Sequence, residues 1–293
     1  MPELPEVETV RRGLADLMPG KTVRAVNCDN PKSFPNSDSD VDAFLVGAKI
    51  LAVRRRAKVL MIDLSTSYSL VIHLKMTGQL VFRSNSDTER FGAGHPNDSL
   101  VGNLPDKSTR VTFDLVDAKL YFNDQRKFGW VRLIPTIEVP NIDFMKKLGP
   151  EPLADDFTPK QFIERFRRRN NTTIKAALLD QSVIAGVGNI YADESLWGAK
   201  IHPSTRVRNV SDAKLRTLLT ELQYVLRLSI QKGGSTDKNY VNAEGKKGSY
   251  MDFARVFRRE GQACSRCGST IQKSRVAGRG THTCPVCQRF KND

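Results

Sequence analysis

The sequence predicts an α+β chain of several domains: an N-terminal β-sandwich flanked by helices, a helical segment behind it, and a four-cysteine zinc ribbon at the end. Three observations predict it. Apolar residues alternate with period two from about Thr22 to Pro135. After Pro140 the apolar spacing becomes helical. Four of the five cysteines form two CxxC pairs near the C-terminus. These features divide the chain into residues 2–135, 136–250 and 251–293.

The first element is a helix within PELPEVETVRRGLADLM. Pro5 suits the first helical position, where a missing N–H costs nothing. Glu6 and Glu8 complement the dipole of the first turn. Val7, Val10, Leu14 and Leu17 form an apolar stripe, and Pro19-Gly20 stops the helix. Glu3 lies just before it. Strands are expected at Thr22–Cys28, Ala48–Arg54, Val59–Leu64, Ser69–Leu74, Gln79–Arg83, Arg110–Leu115, Lys119–Asn123 and Val131–Ile134. Many short strands with turn residues between them indicate a sandwich. Ser84–Ser108 is polar and rich in Gly, Pro and Asn, and reads as a long loop.

In the helical segment, Thr158-Pro159 is an N-cap with proline at N1, opening a helix to about Arg169. Helices are also expected over Thr172–Leu179 and Asn189–Trp197, the latter stopped near Gly198. Ser211 caps a long amphipathic helix ending at Gly233-Gly234. Ser235–Tyr250 is a loop rich in glycine and lysine.

Cys264 and Cys267 are separated by two residues, as are Cys284 and Cys287, with sixteen residues between the pairs. This spacing fits a zinc ribbon, in which two knuckles bring four thiolates to tetrahedral corners. Four protein ligands leave no open coordination position, so one structural Zn2+ is expected. Metal binding would supply the folding energy of so small a segment. His282 is surplus to that ligand set, and Cys28 reads as a plain strand residue.

Lysine and arginine total 46 against 32 acids, a net charge of +14. The excess is spread along the chain, as at Arg54–Arg56 and Arg165–Arg169, which suits a polyanionic partner along a groove. No apolar run is long enough to span a membrane. The N-terminus lacks the apolar core of a signal peptide, so a cytoplasmic setting is expected.

Met1-Pro2 is a good substrate for removal of the initiator methionine, which would expose the secondary amine of Pro2. An α-amine titrates near neutrality and can form Schiff-base intermediates with carbonyl-like carbons. Glu3 could act as acid and base beside it, with Glu6 orienting the site. Acidic residues at a helix start are also ordinary dipole partners, and spacing alone does not choose between the two readings.

The opening MPELPEVETV resembles that of the bacterial formamidopyrimidine-DNA glycosylases. Leu4 sets it apart from the related endonuclease VIII branch, which tends to have glycine there. Further matches follow in family order: RRRAKVL with Lys58, HLKMTG with His73 and Met76, DQRKFG with Arg126 and Phe128, AGVGNIYADESL with Asn189 and Glu194, and the terminal ribbon with Arg279. The resemblance covers residues 1 to 287.

It implies a bifunctional DNA glycosylase and AP lyase of base excision repair, working as a monomer on damaged double-stranded DNA. Pro2 would attack C1′ of an oxidised purine nucleoside such as 8-oxoguanine. Glu3 would move the protons, and β- and δ-elimination would cut the strand. Lys58 would contact phosphate near the lesion. Met76, Arg126 and Phe128 would fill the void left by the extruded base. A helix–two-turn–helix element would bring Lys175 and Asn189 to backbone phosphates. Arg279 would add a phosphate contact from the ribbon, and His73 and Tyr191 would join the DNA-binding set. Ser235–Tyr250 would close over the flipped base.

Three departures stand out: the length of Ser84–Ser108, the absence of a histidine at Lys107-Ser108-Thr109, and Val256-Phe257-Arg258-Arg259 in place of a more usual tyrosine-glycine pair. An endonuclease VIII-like enzyme for oxidised pyrimidines shares the chemistry and is the alternative. A non-catalytic DNA-binding zinc-ribbon protein would have no need of the Pro2/Glu3 pair.

Overall fold

The computed structural model describes residues 1–86, 88–95, 97–235 and 249–290. The chain forms two compact units: residues 1–146 with 232–249, and residues 147–231 with 250–293.

The first unit opens with α1 (Leu4–Leu17). Its stripe of Val7, Val10 and Leu14 is buried against two antiparallel sheets. One sheet has the order β1 (Val23–Cys28), β7 (Thr109–Leu115), β8 (Ala118–Asp124), β5 (Gly78–Ser84) and β6 (Arg90–Gly94). The other runs β2 (Ile50–Arg56), β3 (Val59–Leu64), β4 (Tyr68–His73) and β9 (Trp130–Pro135). Alternate residues of both sheets share one core, among them Leu60, Ile62, Leu70, Ile72, Phe82, Phe113 and Phe122. A helical turn α2 (Asp38–Asp40) and a following π turn lead into β2. The outer face of β3 and β4 buries Val59, Met61 and Val71 beside Val139, below α3 (Asp143–Lys146).

The segment 84–108 differs from its expectation as a loop. Its centre is β6, paired with β5 from Gln79↔Gly94 to Arg83↔Arg90, and a 3-10 turn follows at Asp98–Leu100. Glycines at 92 and 94 disguise the strand, since glycine ordinarily weakens one. Here they permit close approach: a Cβ on Gly94 would lie 2.5 Å from Gly78 O. Phe91 fills the space above Gly13 of α1, where a Cβ would sit 2.0 Å from its ring. This strand therefore buttresses the N-terminal helix.

The second unit contains α4 (Pro159–Arg167), α5 (Ile174–Leu179), α6 (Asn189–Ala199) and α7 (Asp212–Gln231). Thr158 and Gln161 form a capping box on α4, and Thr173 caps α5. Contrary to expectation, α6 runs through Gly198 and ends at Lys200, which adopts the left-handed conformation at φ 55°. Gly198 serves packing, because a Cβ there would meet the Glu221 carboxylate at 2.1 Å. The ribbon is a hairpin of β10 (Gln272–Val276) and β11 (Arg279–Thr283). A small core of Trp197, Val256, Cys264, Ile271 and Cys284 joins it to the helices of the same unit.

Candidate active site and nucleic-acid interface

In the first unit, Glu3 is the N-cap of α1 and both it and Pro2 are buried, whereas Met1 is exposed. The Glu6 carboxylate accepts the Glu3 N–H at 2.7 Å through Oε2 and the Ser235 N–H at 2.8 Å through Oε1. It thereby fixes the backbone that carries Pro2 and Glu3. Gly234 packs on the same side chain with φ +92°, a conformation that suits glycine. Residues 236–248, most of the lesion-loop expectation, lie outside the described residues.

Glu8 on α1 joins this end of the helix to the β2–β3 turn. It accepts hydrogen bonds from Arg11, Arg12 and Arg55, each at 3.0 Å. Burial disfavours its charge, yet these guanidinium groups hold its carboxyl below the usual range. Arg55 also donates to Ala57 O at 2.9 Å, in the turn that carries Lys58. Lys58 is largely buried beside His73, which β3–β4 pairing places opposite Val59.

His73 accepts the Lys75 N–H at 3.0 Å through Nδ1, so its proton resides on Nε2. Burial, with the charges of Lys75 and Lys58, pushes its pKa down to about 3. The ring is therefore a neutral donor at neutral pH. It adds no third full charge to the two lysines.

Met76, Arg126 and Phe128 are exposed, on two loops of the first unit. Arg126 lies over the Phe128 ring at 4.8 Å. Sequence reasoning missed what holds these loops. Buried Asp124 receives the Thr77 hydroxyl, the Arg126 N–H at 3.2 Å and the Gly129 N–H at 2.7 Å. An acid just before an exposed basic-aromatic turn was the available signal.

In the second unit, Gln181 shapes the turn before α6. Its amide accepts the Gly186 N–H at 2.9 Å and donates to Val187 O at 2.8 Å. Asn189 begins α6 and donates to Gly280 O at 3.0 Å, tying the helix start to the ribbon hairpin. Arg279 is exposed at the hairpin tip.

Two of the residues expected at the DNA have buried side chains. Lys175 is completely buried, and its ammonium donates to Asp193 Oδ1 at 2.6 Å, Thr281 Oγ1 at 2.8 Å and Gly280 O at 3.1 Å. A buried ammonium needs such partners. Tyr191 is equally buried, its hydroxyl 2.5 Å from Ser229 Oγ. It lies on a helix whose residues from Tyr191 to Trp197 are all buried. Asp193 also accepts the His282 N–H at 2.9 Å and meets His282 Nδ1 at 3.1 Å, which gives that histidine a role apart from the metal. Glu194 is a buried acceptor for the N–H groups of Arg255, Val256 and Phe257 at 2.9 Å each, and for the Tyr250 hydroxyl at 3.0 Å.

The sulfur atoms of Cys264, Cys267, Cys284 and Cys287 lie within 4.8 Å of one another. Tetrahedral coordination at about 2.3 Å needs sulfurs of about this spacing. The Cys287 N–H points to Cys284 Sγ at 3.3 Å, a bond that favours thiolate ligands. The cluster fits one structural zinc ion.

Comparison with known proteins agrees along the whole chain. Residues 1–131 match the formamidopyrimidine-DNA glycosylase N-terminal domain, 148–240 its H2TH domain, and 261–289 the zinc finger found in FPG and IleRS. The formamidopyrimidine-DNA glycosylase of Pediococcus pentosaceus is 42% identical over 98% of this chain and 99% of its own. That of Pelotomaculum thermopropionicum is 38% identical over 99% and 100%. Among solved structures, Lactococcus lactis Fpg with abasic-site DNA is 35% identical, with a TM-score of 0.86 over 98% of this chain and 100% of its own. The same Lactococcus protein has been solved with DNA containing an oxidised pyrimidine, at a TM-score of 0.85 and 35% identity over 99% and 100%. The chain belongs to the formamidopyrimidine-DNA glycosylase family.

Proposed function

We propose that this glycosylase and AP lyase of base excision repair excises oxidised purines, 8-oxoguanine and formamidopyrimidines, from duplex DNA through the amine of Pro2. The carrying observation is the buried Pro2-Glu3 terminus, held at the N-cap of α1 by Glu6. Exposed Met1 is accessible for removal, and only its removal frees the Pro2 nitrogen from an amide.

The Pro2 nitrogen attacks C1′ and the base leaves with a proton. Glu3 protonates the sugar ring oxygen as the ring opens, giving an iminium. The iminium acidifies C2′, whose proton Glu3 removes. Loss of the 3′ phosphate follows, then of the 5′ phosphate, and hydrolysis restores the amine. Lys58, neutral His73 and Asn189 bind phosphate oxygens, Arg279 adds a charge from the ribbon, and Met76, Arg126 and Phe128 fill the void. Lys175 holds Asn189's neighbour Gly280 in place. The enzyme acts as a monomer in the cytoplasm, on nucleoid DNA.

The test compares the processed wild type with Glu3→Gln on a duplex bearing 8-oxoguanine opposite cytosine. Binding retained with excision lost supports the role of Glu3; full excision would overturn it. Oxidised pyrimidines are a second reading, favoured by the relative's complex with such DNA. A lesion panel ranks the two: faster excision of an oxidised pyrimidine than of 8-oxoguanine would displace the purine assignment.

A further inference from the structure

The two loops that carry Met76 and the Arg126/Phe128 pair come from different connections between the two sheets of the first unit. Met76 lies between β4 and β5, and Arg126 and Phe128 lie between β8 and β9. Nothing in the exposed side chains requires these loops to move together. The groups beneath them do.

Thr77 directly follows Met76 and is buried at 8% exposure, while Asp124 is wholly buried. The Thr77 hydroxyl donates to Asp124 Oδ1. The same hydroxyl oxygen accepts the Arg126 N–H at 3.1 Å, and Asp124 Oδ1 lies 3.2 Å from that N–H. The other carboxylate oxygen accepts the Gly129 N–H at 2.7 Å, at the far end of the Arg126–Phe128 turn. One carboxylate thus grips both ends of one loop and, through one hydroxyl, the base of the other.

The grip is rigidly mounted. Arg110 donates to Asp124 O at 2.9 Å, and the Asp124 N–H donates to Ser108 O at 2.8 Å. Gly129 fits closely over it: a Cβ there would lie 2.7 Å from Phe122, 3.0 Å from His73 O and 3.1 Å from Asp124 Oδ2. Lys75 and Lys127 hold left-handed backbone, at φ 49° and φ 58°. Such conformations persist where surrounding bonds determine them.

We infer that Asp124, acting through Thr77, is a positioning residue that couples the two loops, so that Met76 and the Arg126/Phe128 pair enter DNA as one unit. The inference rests on the void-filling role proposed above. A severed grip leaves each side chain present but independently placed.

The experiment is a double-mutant cycle on the full-length, processed enzyme. Single-turnover excision of 8-oxoguanine opposite cytosine is measured for Met76→Ala, Arg126→Ala and the pair, in the wild-type and Thr77→Val backgrounds. Strand cleavage at a preformed abasic site is measured in parallel. We expect non-additive losses in the wild type and additive losses in Thr77→Val. Thr77→Val alone should lower excision relative to abasic-site cleavage by roughly five- to tenfold, the size of one buried hydrogen bond. Thr77→Ser, which keeps the hydroxyl, should restore it. Should Thr77→Val not fold, Asp124→Asn carries the same cycle. Losses already additive in the wild type, or coupling that survives Thr77→Val, would overturn this inference alone. No effect of Met76→Ala or Arg126→Ala on excision would overturn the void-filling reading and the inference together.

Discussion

Glu6 and Ser235 stand 229 residues apart, yet Glu6 Oε1 accepts the Ser235 N–H at 2.8 Å. The second oxygen of the same carboxylate holds the N–H of Glu3 at 2.7 Å. The backbone at Glu3 and the backbone at Ser235 therefore share one acceptor.

Removing that acceptor should disturb both. Glu6→Ala is expected to cost about 1–3 kcal/mol of stability, because it strands backbone donors. Excision should fall by at least tenfold even at temperatures where the variant stays folded. Single-turnover kinetics together with thermal unfolding check this, and a variant as active as wild type would show that Glu6 does not position the terminus.

His73 gives a pH signature. Its pKa is about 3 in the folded protein, against an ordinary 6.5. The unfolded chain then binds more protons between those values, so stability rises with pH there. The contribution is complete above about pH 6.5 and is lost as pH falls toward 3. His73→Asn should flatten this acid limb in denaturant unfolding followed across pH. A His73 resonance titrating near its ordinary value would contradict the assignment.

Lys175 separates a packing role from a DNA contact. Lys175→Ala leaves Asp193 buried without its cation, and about 3–5 kcal/mol of stability should be lost. A direct phosphate contact would contribute about 0.9 to the slope of log affinity against log salt. We expect that slope to stay unchanged in Lys175→Ala, and to fall in Arg279→Ala. A reduced slope in Lys175→Ala would restore the lysine to the phosphate-binding set.

Chelation should act on the second unit alone. Stripping zinc removes the metal term that folds the ribbon, and DNA binding should disappear. The sandwich core of Leu60, Ile72, Phe82 and Phe122 contains no ligand cysteine and should keep its near-ultraviolet signal. Undiminished DNA binding after complete zinc removal would show that the ribbon is not needed for contact.

The sandwich was legible because its strands are short apolar runs between turn residues, and Leu60, Ile62 and Leu64 or Leu70 and Ile72 fall at every second position toward the shared core. β6 escaped because its two glycines read as loop, and the benefit of Gly94 lies in a close approach to Gly78 that only pairing creates. The four cysteines were legible because their chemistry is written in local spacing, whereas the roles of Pro2 and Glu3 were read from the resemblance. The burial of Lys175 and Tyr191 was not legible, because Lys175 is held by Asp193, Thr281 and Gly280 and Tyr191 by Ser229, all remote in sequence or backbone groups. Asp124 was missed because its partners, Thr77 and Gly129, are remote in sequence or backbone groups, which no pattern of side chains reveals.

The central claim is that the amine of Pro2 becomes covalently joined to the sugar. Borohydride trapping tests it most directly, on a duplex with one 8-oxoguanine opposite cytosine and with removal of Met1 confirmed by mass. The processed wild type is expected to give a reduced protein–DNA adduct, and Pro2→Gly none. An adduct of equal yield with Pro2→Gly, or no adduct from the processed wild type, would contradict it.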